Sequence, residues 1–128
     1  MKVVYVAGPY RGKHESDVVR NIRNAEAVAI RIWQAGHCAL CPHKNTALFG
    51  GLADDSVWLA GDIEMLKRCD EMVLARGWEN STGTLREIEV CKSEGIPYYT
   101  SIEAWEKATI ACSRPCRLHD RCMTVSHV

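Results

Sequence analysis

No apolar run in this sequence approaches the roughly 20 residues that a membrane-spanning helix needs. The first residues, KVVYVAG, are strand-like and lack the charged lead and apolar stretch of a signal peptide. Nor does one charge predominate, since 16 basic and 16 acidic residues give a formal net charge of zero. Proteins that bind nucleic acid carry an excess of Lys and Arg. We therefore expect a cytoplasmic protein whose partners include neither a membrane nor a nucleic-acid polymer.

Two common cofactor signatures are also missing. The segments GPYRG and NSTG contain neither the spaced glycines of a dinucleotide-binding fingerprint nor the Gly-Lys-Ser/Thr of a P-loop. A classical NAD or ATP site is therefore not expected, and we predict no cofactor.

The seven cysteines lack the tight Cys-x2-Cys spacing of a structural zinc site. Their number is odd and no export signal precedes them, so reduced thiols are expected. We predict no metal, although two groups come nearest to a ligand set: Cys112, Cys116, His119 and Cys122 in the tail, and His37, Cys41 and His43 around the second strand.

What the sequence does contain is an alternation of strand-like and helix-like segments. VVYVAG (3–8) is a continuous apolar run typical of a buried parallel strand. From Ser16 the apolar residues recur every three or four positions as far as Ile32, and Gly36 follows where a helix is expected to end. HCALCPH (37–43) is predicted to be a short strand that leads into a Pro turn. The later predicted elements are a helix burying Leu59, Ile63 and Leu66, a strand at 71–75, a helix from Thr82 to Glu94 ended by Gly95, a strand at 96–100 and a helix at 101–108 opened by Ser101.

This alternation predicts a parallel, doubly wound α/β sheet with right-handed crossovers. The 128 residues are enough for one domain with a single core. We place that domain at residues 1–110. The cysteine-containing tail, 111–128, has no apolar period and is expected to be peripheral or flexible.

In an open parallel sheet, ligands bind at the carboxyl ends of the strands. The loops expected there, GPYRG, CPHKNT and RGWENSTG, are richer in polar residues than turns require. In the third loop, Ser81 and Gly83 place small residues and free N–H groups at a helix N-terminus, which suits an anion or a hydroxyl. We expect Gly83 to let the chain turn tightly into that helix.

Two acidic residues on that helix, Glu87 and Glu89, border its apolar arc of Leu85, Ile88 and Cys91 on opposite edges. Glutamates in such positions are most often solvated. Periodicity alone does not choose between the two.

The segments VYVAGPYRG and GDIEMLKRCDEMVLARGWENSTGTLREIEVCKSEGIP, with the strand–helix order between them, resemble the nucleoside 2-deoxyribosyltransferase superfamily. The resemblance is greatest to its small phage and bacterial members, which are related to the nucleoside 5'-monophosphate N-glycosidases. It covers roughly residues 2–100 and implies a flavodoxin-like fold. It also implies homodimers or larger homo-oligomers.

The resemblance implies three catalytic residues. The spacing of Ser81, Gly83 and Glu87 matches the family's nucleophile motif, which selects Glu87 over Glu89. Asp62 matches the acid that handles the leaving base, and Tyr5 matches the tyrosine that orients the nucleophile.

The same resemblance implies a substrate-binding set. The related nucleotide hydrolases use the first loop and the Ser-Gly turn around a 5'-phosphate, for which the Arg11 guanidinium is suited. His43 and Asn45 in CPHKNT are expected to reach the base or sugar. The full set is Gly8, Tyr10, Arg11, Gly12, His43, Asn45, Ser81 and Gly83.

The predicted activity is cleavage of the N-glycosidic bond of a (deoxy)nucleoside or its 5'-monophosphate. It proceeds through a glycosyl-Glu intermediate and passes the sugar to water or to another base. The alternative is a catalytically silent nucleotide-binding or nucleotide-sensing module on the same fold. A third reading, a zinc-stabilised interaction protein, would rest on the tail cysteines. Four of these residues also have a structural interpretation. Tyr5 could be a core aromatic and His43 a structural loop histidine, and Asp62 and Arg11 could be solvated side chains.

Overall fold

The computed structural model describes residues 1–47 and 49–113 and contains one four-stranded, all-parallel sheet with strand order β2-β1-β3-β4. This is the order of the flavodoxin-like doubly wound fold, so the predicted fold class is confirmed. The strands are β1 (Val3–Ala7), β2 (Cys38–Leu40), β3 (Glu71–Leu74) and β4 (Tyr98–Tyr99); the helices are α1 (Glu15–Gln34), α2 (Pro42–Asn45), α3 (Asp55–Lys67), α4 (Thr82–Glu94) and α5 (Ile102–Ser113).

Helices cover both faces of the sheet because alternate residues of each strand point to opposite sides. On one face Val4 and Val6 pack with α1 and α5, where Ala25, Ile32 and Trp105 are buried. On the other face, α3 and α4 cover a second cluster: Tyr5, Ala7, Leu66, Cys69, Met72, Leu74, Ile88 and Cys91. Tyr5 therefore lies beneath α4, on the face where a polar partner on that helix can reach it.

The chain crosses over β1 between β2 and β3, and this crossover creates the switch point of the sheet. Adjacent strand ends at a switch point are left uncovered by the connecting loops, so ligands bind there. Here the point lies between the carboxyl ends of β1 and β3. The loop after β1 and the N-terminus of α4 both reach it.

A buried carboxylate anchors the opposite end of β3. Glu71 is fully buried, and it accepts hydrogen bonds from the Trp105 indole at 2.9 Å and the Tyr99 hydroxyl at 3.4 Å. Lys2 Nζ forms an ion pair with it at 3.0 Å. Because a buried charge requires such partners, Glu71 ties β3 to the N-terminus and to α5, away from the switch point.

The predicted helix from Thr82 to Glu94 has those ends in the structure, and Gly95 follows it with φ 71°. Three other expectations need correction. The segment after β2 is not a plain turn but the one-turn helix α2, which Pro42 starts because proline fits the first helical position. Leu59 and Leu85, expected on buried faces, are both exposed.

The last helix continues to Ser113, three residues beyond the predicted boundary at residue 110. The predicted tail therefore begins inside α5. Its remainder, 114–128, lies outside the described residues.

Candidate functional site

A cleft of about 530 Å³ lies at the carboxyl ends of the strands, between the loop after β1, the short helix α2, and helices α3 and α4. Of the eleven residues predicted from the sequence, nine line this cleft: Tyr5, Gly8, Tyr10, Arg11, His43, Asp62, Ser81, Gly83 and Glu87. The topology thus brings together residues that are up to 82 positions apart.

At the floor of the cleft, the Tyr5 hydroxyl donates a hydrogen bond of 2.5 Å to Glu87 Oε2. Tyr5 is 1% exposed, so its ring is packed in the core while its hydroxyl reaches the cleft. A buried tyrosine requires a partner for its hydroxyl. The bond fixes the position of the Glu87 carboxylate relative to β1.

Burial sets the protonation of Glu87. The pKa of this carboxyl is raised to about 7, mainly by burial. The Tyr5 hydrogen bond acts in the opposite direction and lowers the pKa, and the nearby Asp62 adds a smaller upward effect. Burial and the Glu87 charge also raise the pKa of Tyr5, which keeps the hydroxyl protonated as the donor. Near neutral pH, Glu87 is therefore present in both forms.

Asp62 reaches the cleft from the middle of α3. Burial raises the pKa of its carboxyl to about 6. The site therefore contains two carboxyl groups that both titrate near neutrality. Such a pair can divide the roles of proton donor and anionic base.

Glu89, the other acidic residue on α4, does not share this environment. Its side chain is 72% exposed and pairs with Lys92 at 3.5 Å. Successive helical residues differ by roughly 100°, so Glu87 and Glu89 point about 160° apart and only one can face the cleft. The resemblance selected Glu87, and the structure places that residue in the cleft.

The N-terminus of α4 borders the site through Ser81, which caps the helix. Its Oγ accepts hydrogen bonds from the Thr84 backbone N–H at 3.2 Å and from the Thr84 hydroxyl at 2.9 Å. Gly83 lines the cleft, but it lies within the helix and is not among the glycines with positive φ. The expected tight turn at Gly83 is therefore wrong, and the left-handed residue before α4 is Gly77, with φ 86°.

His43 on α2 holds the loop after β1 in place. Its Nε2 lies 2.9 Å from the Pro9 carbonyl oxygen, and its ring makes an edge contact with Tyr10 at a centroid distance of 5.7 Å. Burial lowers the pKa of His43. Because a carbonyl oxygen can only accept, Nε2 is the donor in this hydrogen bond. His43 therefore shapes the cleft wall.

Arg11, the expected phosphate partner, forms an ion pair with Asp55 at the start of α3. Both side chains are well exposed, at 75% and 59%, and both residues line the cleft. The pair spans the mouth of the cleft from the β1 loop to α3.

Two predicted residues do not line the cleft. Asn45 lies instead on a separate groove beside α1. Gly12 packs against α1, where a Cβ at its position would come within 2.2 Å of the Asp17 Cβ. Gly12 is thus required by close packing of the loop, whereas Gly8 lies in the cleft, where a Cβ at its position would come within 2.9 Å of the Ala75 Cβ.

Sequence reasoning missed several lining residues, among them Trp58, Asn80 and Arg86. A helical signal could have found Trp58, because it precedes Asp62 by four positions and residues at that spacing share one face of a helix. Trp58 also contacts the Phe49 ring at a centroid distance of 6.0 Å. This side of the cleft is therefore partly aromatic.

Within residues 1–47 and 49–113, no three His, Cys, Asp or Glu side chains are grouped so that they could hold a metal ion. His37 Nδ1 instead accepts a hydrogen bond from the Lys2 backbone N–H at 3.0 Å. Cys38, Cys41, Cys69 and Cys91 are free thiols. The tail set of Cys116, His119 and Cys122 lies outside the described residues, as does the side chain of Cys112.

No helix in the described part of the chain is both long and apolar enough to cross a membrane.

Comparisons with known proteins give one family and one fold. A family model described as "Domain of unknown function (DUF7768)" matches residues 2–101. No curated protein matches the sequence. Among solved structures, the chain is similar to a 2-deoxyribosyltransferase from the psychrotolerant bacterium Bacillus psychrosaccharolyticus, with 22% identity and a TM-score of 0.55. The match covers 75% of this chain and 69% of that one, and it shows a shared fold.

The raised pKa of Glu87 predicts a pH-dependent cost in stability. The pKa of Glu87 in the folded state, about 7, exceeds the ordinary value of 4.5. The unfolded state therefore loses this proton first, and folding stability falls as the pH rises from about 4.5 to 7. Glu87→Gln should remove this loss and stabilise the protein by about 2 kcal/mol more at pH 8 than at pH 5.

Urea denaturation of both proteins at the two pH values measures this difference. Glu89→Gln is the matched control, since Glu89 is exposed on the same helix. An equal effect of Glu87→Gln at pH 5 and pH 8 would show that Glu87 is not held in a desolvating site.

Proposed function

The chain belongs to the DUF7768 family, and we propose that it cleaves the N-glycosidic bond of a (deoxy)nucleoside or its 5'-monophosphate. Glu87 is the nucleophile, Asp62 the acid for the leaving base and Tyr5 the residue that positions the nucleophile. The observation that carries the proposal is the buried Tyr5–Glu87 hydrogen bond, with Asp62 in the same cleft. The fold shared with the 2-deoxyribosyltransferase is consistent with it.

In the first step an oxygen of Glu87 attacks C1' while the bond from C1' to the base nitrogen breaks. The sugar develops oxocarbenium character, and a carboxylate captures it as a covalent glycosyl ester, as in retaining glycosidases. Because Oε2 of Glu87 accepts the Tyr5 hydrogen bond, we assign the attack to Oε1 of Glu87. A protonated Asp62 gives its proton to the departing base, which leaves neutral.

In the second step the Asp62 carboxylate takes a proton from a water molecule, or from the nitrogen of a second base, as that nucleophile attacks C1'. The ester bond breaks and Glu87 returns as a carboxylate. The same two groups therefore serve both steps, which explains why the cleft needs two carboxyl groups that titrate near neutrality.

The aromatic side of the cleft suits the base. Trp58 lies one helical turn before Asp62, and both line the cleft, so a base that receives a proton from Asp62 lies beside the indole. Apolar side chains of α3, Leu59 and Ile63, line the same side. A nucleobase is flat and largely apolar on its faces, and stacking on an aromatic side chain stabilises it.

Replacing the nucleophile tests the proposal. Glu87→Ala should lower the rate of base release by a factor on the order of thousands, as for other lost nucleophiles. Glu89→Ala should retain most of the activity, because Glu89 is exposed on another side of α4. Chromatography of free base, with a panel of nucleosides and 5'-monophosphates, measures both. Binding of the panel without any base release by the unaltered protein would support a silent binding module instead.

The two shifted carboxyl groups predict a bell-shaped dependence of kcat/KM on pH. Activity requires Glu87 ionised and Asp62 protonated. The pKa of Glu87 is about 7 and that of Asp62 is about 6. Activity should therefore reach a maximum between these two pH values and fall on both sides, because the two carboxyl groups titrate as a coupled pair.

Asp62→Asn should remove the alkaline limb and reduce the maximum by about 100-fold or more. The acidic limb of this variant then reports the Glu87 carboxyl alone, without the upward effect of the Asp62 charge on its pKa. Glu64→Gln, an exposed carboxylate on the same helix, is the control and should keep both limbs. An alkaline limb that survived in Asp62→Asn would assign the proton to another group.

A further inference from the structure

The charged side chains of the cleft do not favour an anionic ligand. Three side chains with a carboxyl group, Asp55, Asp62 and Glu87, line it together with two arginines, Arg11 and Arg86, so positive charge is not in clear surplus. A site built to attract a phosphate usually presents a surplus of positive charge or of N–H donors. Here the balance of charge depends on which arginine is free to meet a ligand.

Asp55 occupies one of the two arginines. It is the first residue of α3, and its Oδ2 accepts a hydrogen bond from Arg11 Nη2 across the mouth of the cleft. Arg86, in contrast, has no ion-pair partner among the described residues. The positive charge on the side of the β1 loop is therefore cancelled locally as long as the pair holds.

The pair is exposed, and this makes it exchangeable. Exposed ion pairs contribute little to stability because water and salt screen them. An incoming phosphate competes with Asp55 for the same guanidinium, and it is repelled by the Asp55 carboxylate after displacing it. An uncharged nucleoside does not compete with Asp55 for the guanidinium and is not repelled by the Asp55 carboxylate.

We propose that Asp55 is a specificity-determining residue, which by holding Arg11 weakens the binding of 5'-monophosphates relative to the corresponding uncharged nucleosides. The inference rests on the proposed function for its substrate class. It assigns a role to a residue outside the three proposed catalytic side chains.

Binding measurements on charge-neutralising variants test this role. The probes are the four common 2'-deoxynucleosides and their 5'-monophosphates, titrated calorimetrically into protein carrying Glu87→Gln so that no bond is broken. Adding Asp55→Asn should tighten monophosphate binding by about threefold to tenfold and change nucleoside binding less than about twofold. Adding 0.5 M NaCl should reduce the gain.

The matched control is Asp54→Asn, which removes the same charge one residue earlier. Asp54 is exposed and has no ion-pair partner in the described part of the chain, its Oδ2 accepting only the Ser56 hydroxyl at 3.3 Å. Asp54→Asn should leave the preference for nucleosides over 5'-monophosphates unchanged. In an Arg11→Ala background, the gain from Asp55→Asn should largely disappear, because the two residues act as a coupled pair.

Two results would overturn the inference: equal tightening of monophosphate binding by Asp55→Asn and Asp54→Asn, or tightening by Asp55→Asn that persists in the Arg11→Ala background. Neither result would contradict the proposed function, which base release by the unaltered protein tests separately. Absence of binding by every probe would overturn it together with the proposed function. Binding with the predicted preference, but no base release when Glu87 is present, would support the inference and contradict the proposed chemistry.

Discussion

The hydrogen bond between Tyr5 and Glu87 is the interaction on which the cleft depends. It joins the central strand β1 to α4 at the floor of the cleft. Desolvation of the Glu87 carboxylate is costly, and this cost appears as the raised pKa. The packing of α3 and α4 over the second core cluster stabilises the protein enough to hold the group there.

Sheet topology explains how distant segments build one site. The crossover between β2 and β3 leaves the ends of β1 and β3 open, and α4 begins beside that opening with its N-terminus. His43 connects α2 to the β1 loop, and Arg11 connects that loop to α3. The deep part of the cleft is thus fixed by buried contacts, whereas its mouth is joined by an exposed ion pair.

Local signals were sufficient to predict most of the elements. The residues at the floor of the cleft, Tyr5 and Glu87, were selected by the family resemblance, because periodicity alone does not choose between Glu87 and Glu89. The apolar period from Thr82 and the glycine at 95 located α4, and a continuous apolar run located β1. The positions of Leu59 and Leu85 were not predictable in the same way, because an apolar residue on a helix edge is buried only if another element covers it. The pairing of Arg11 with Asp55 joins the loop after β1 to the start of α3, and no single segment of the sequence encodes it.

The central claim, that Glu87 forms a covalent bond to the sugar, is tested most directly by mass spectrometry of the intact protein and its peptides. A 2'-fluoro-2'-deoxynucleoside slows breakdown of a glycosyl ester, because the fluorine destabilises an oxocarbenium-like transition state. The account predicts one added fluorosugar, located on the peptide containing Glu87 and absent in Glu87→Gln. An adduct on another residue, or base release from this analogue without an adduct, would contradict it.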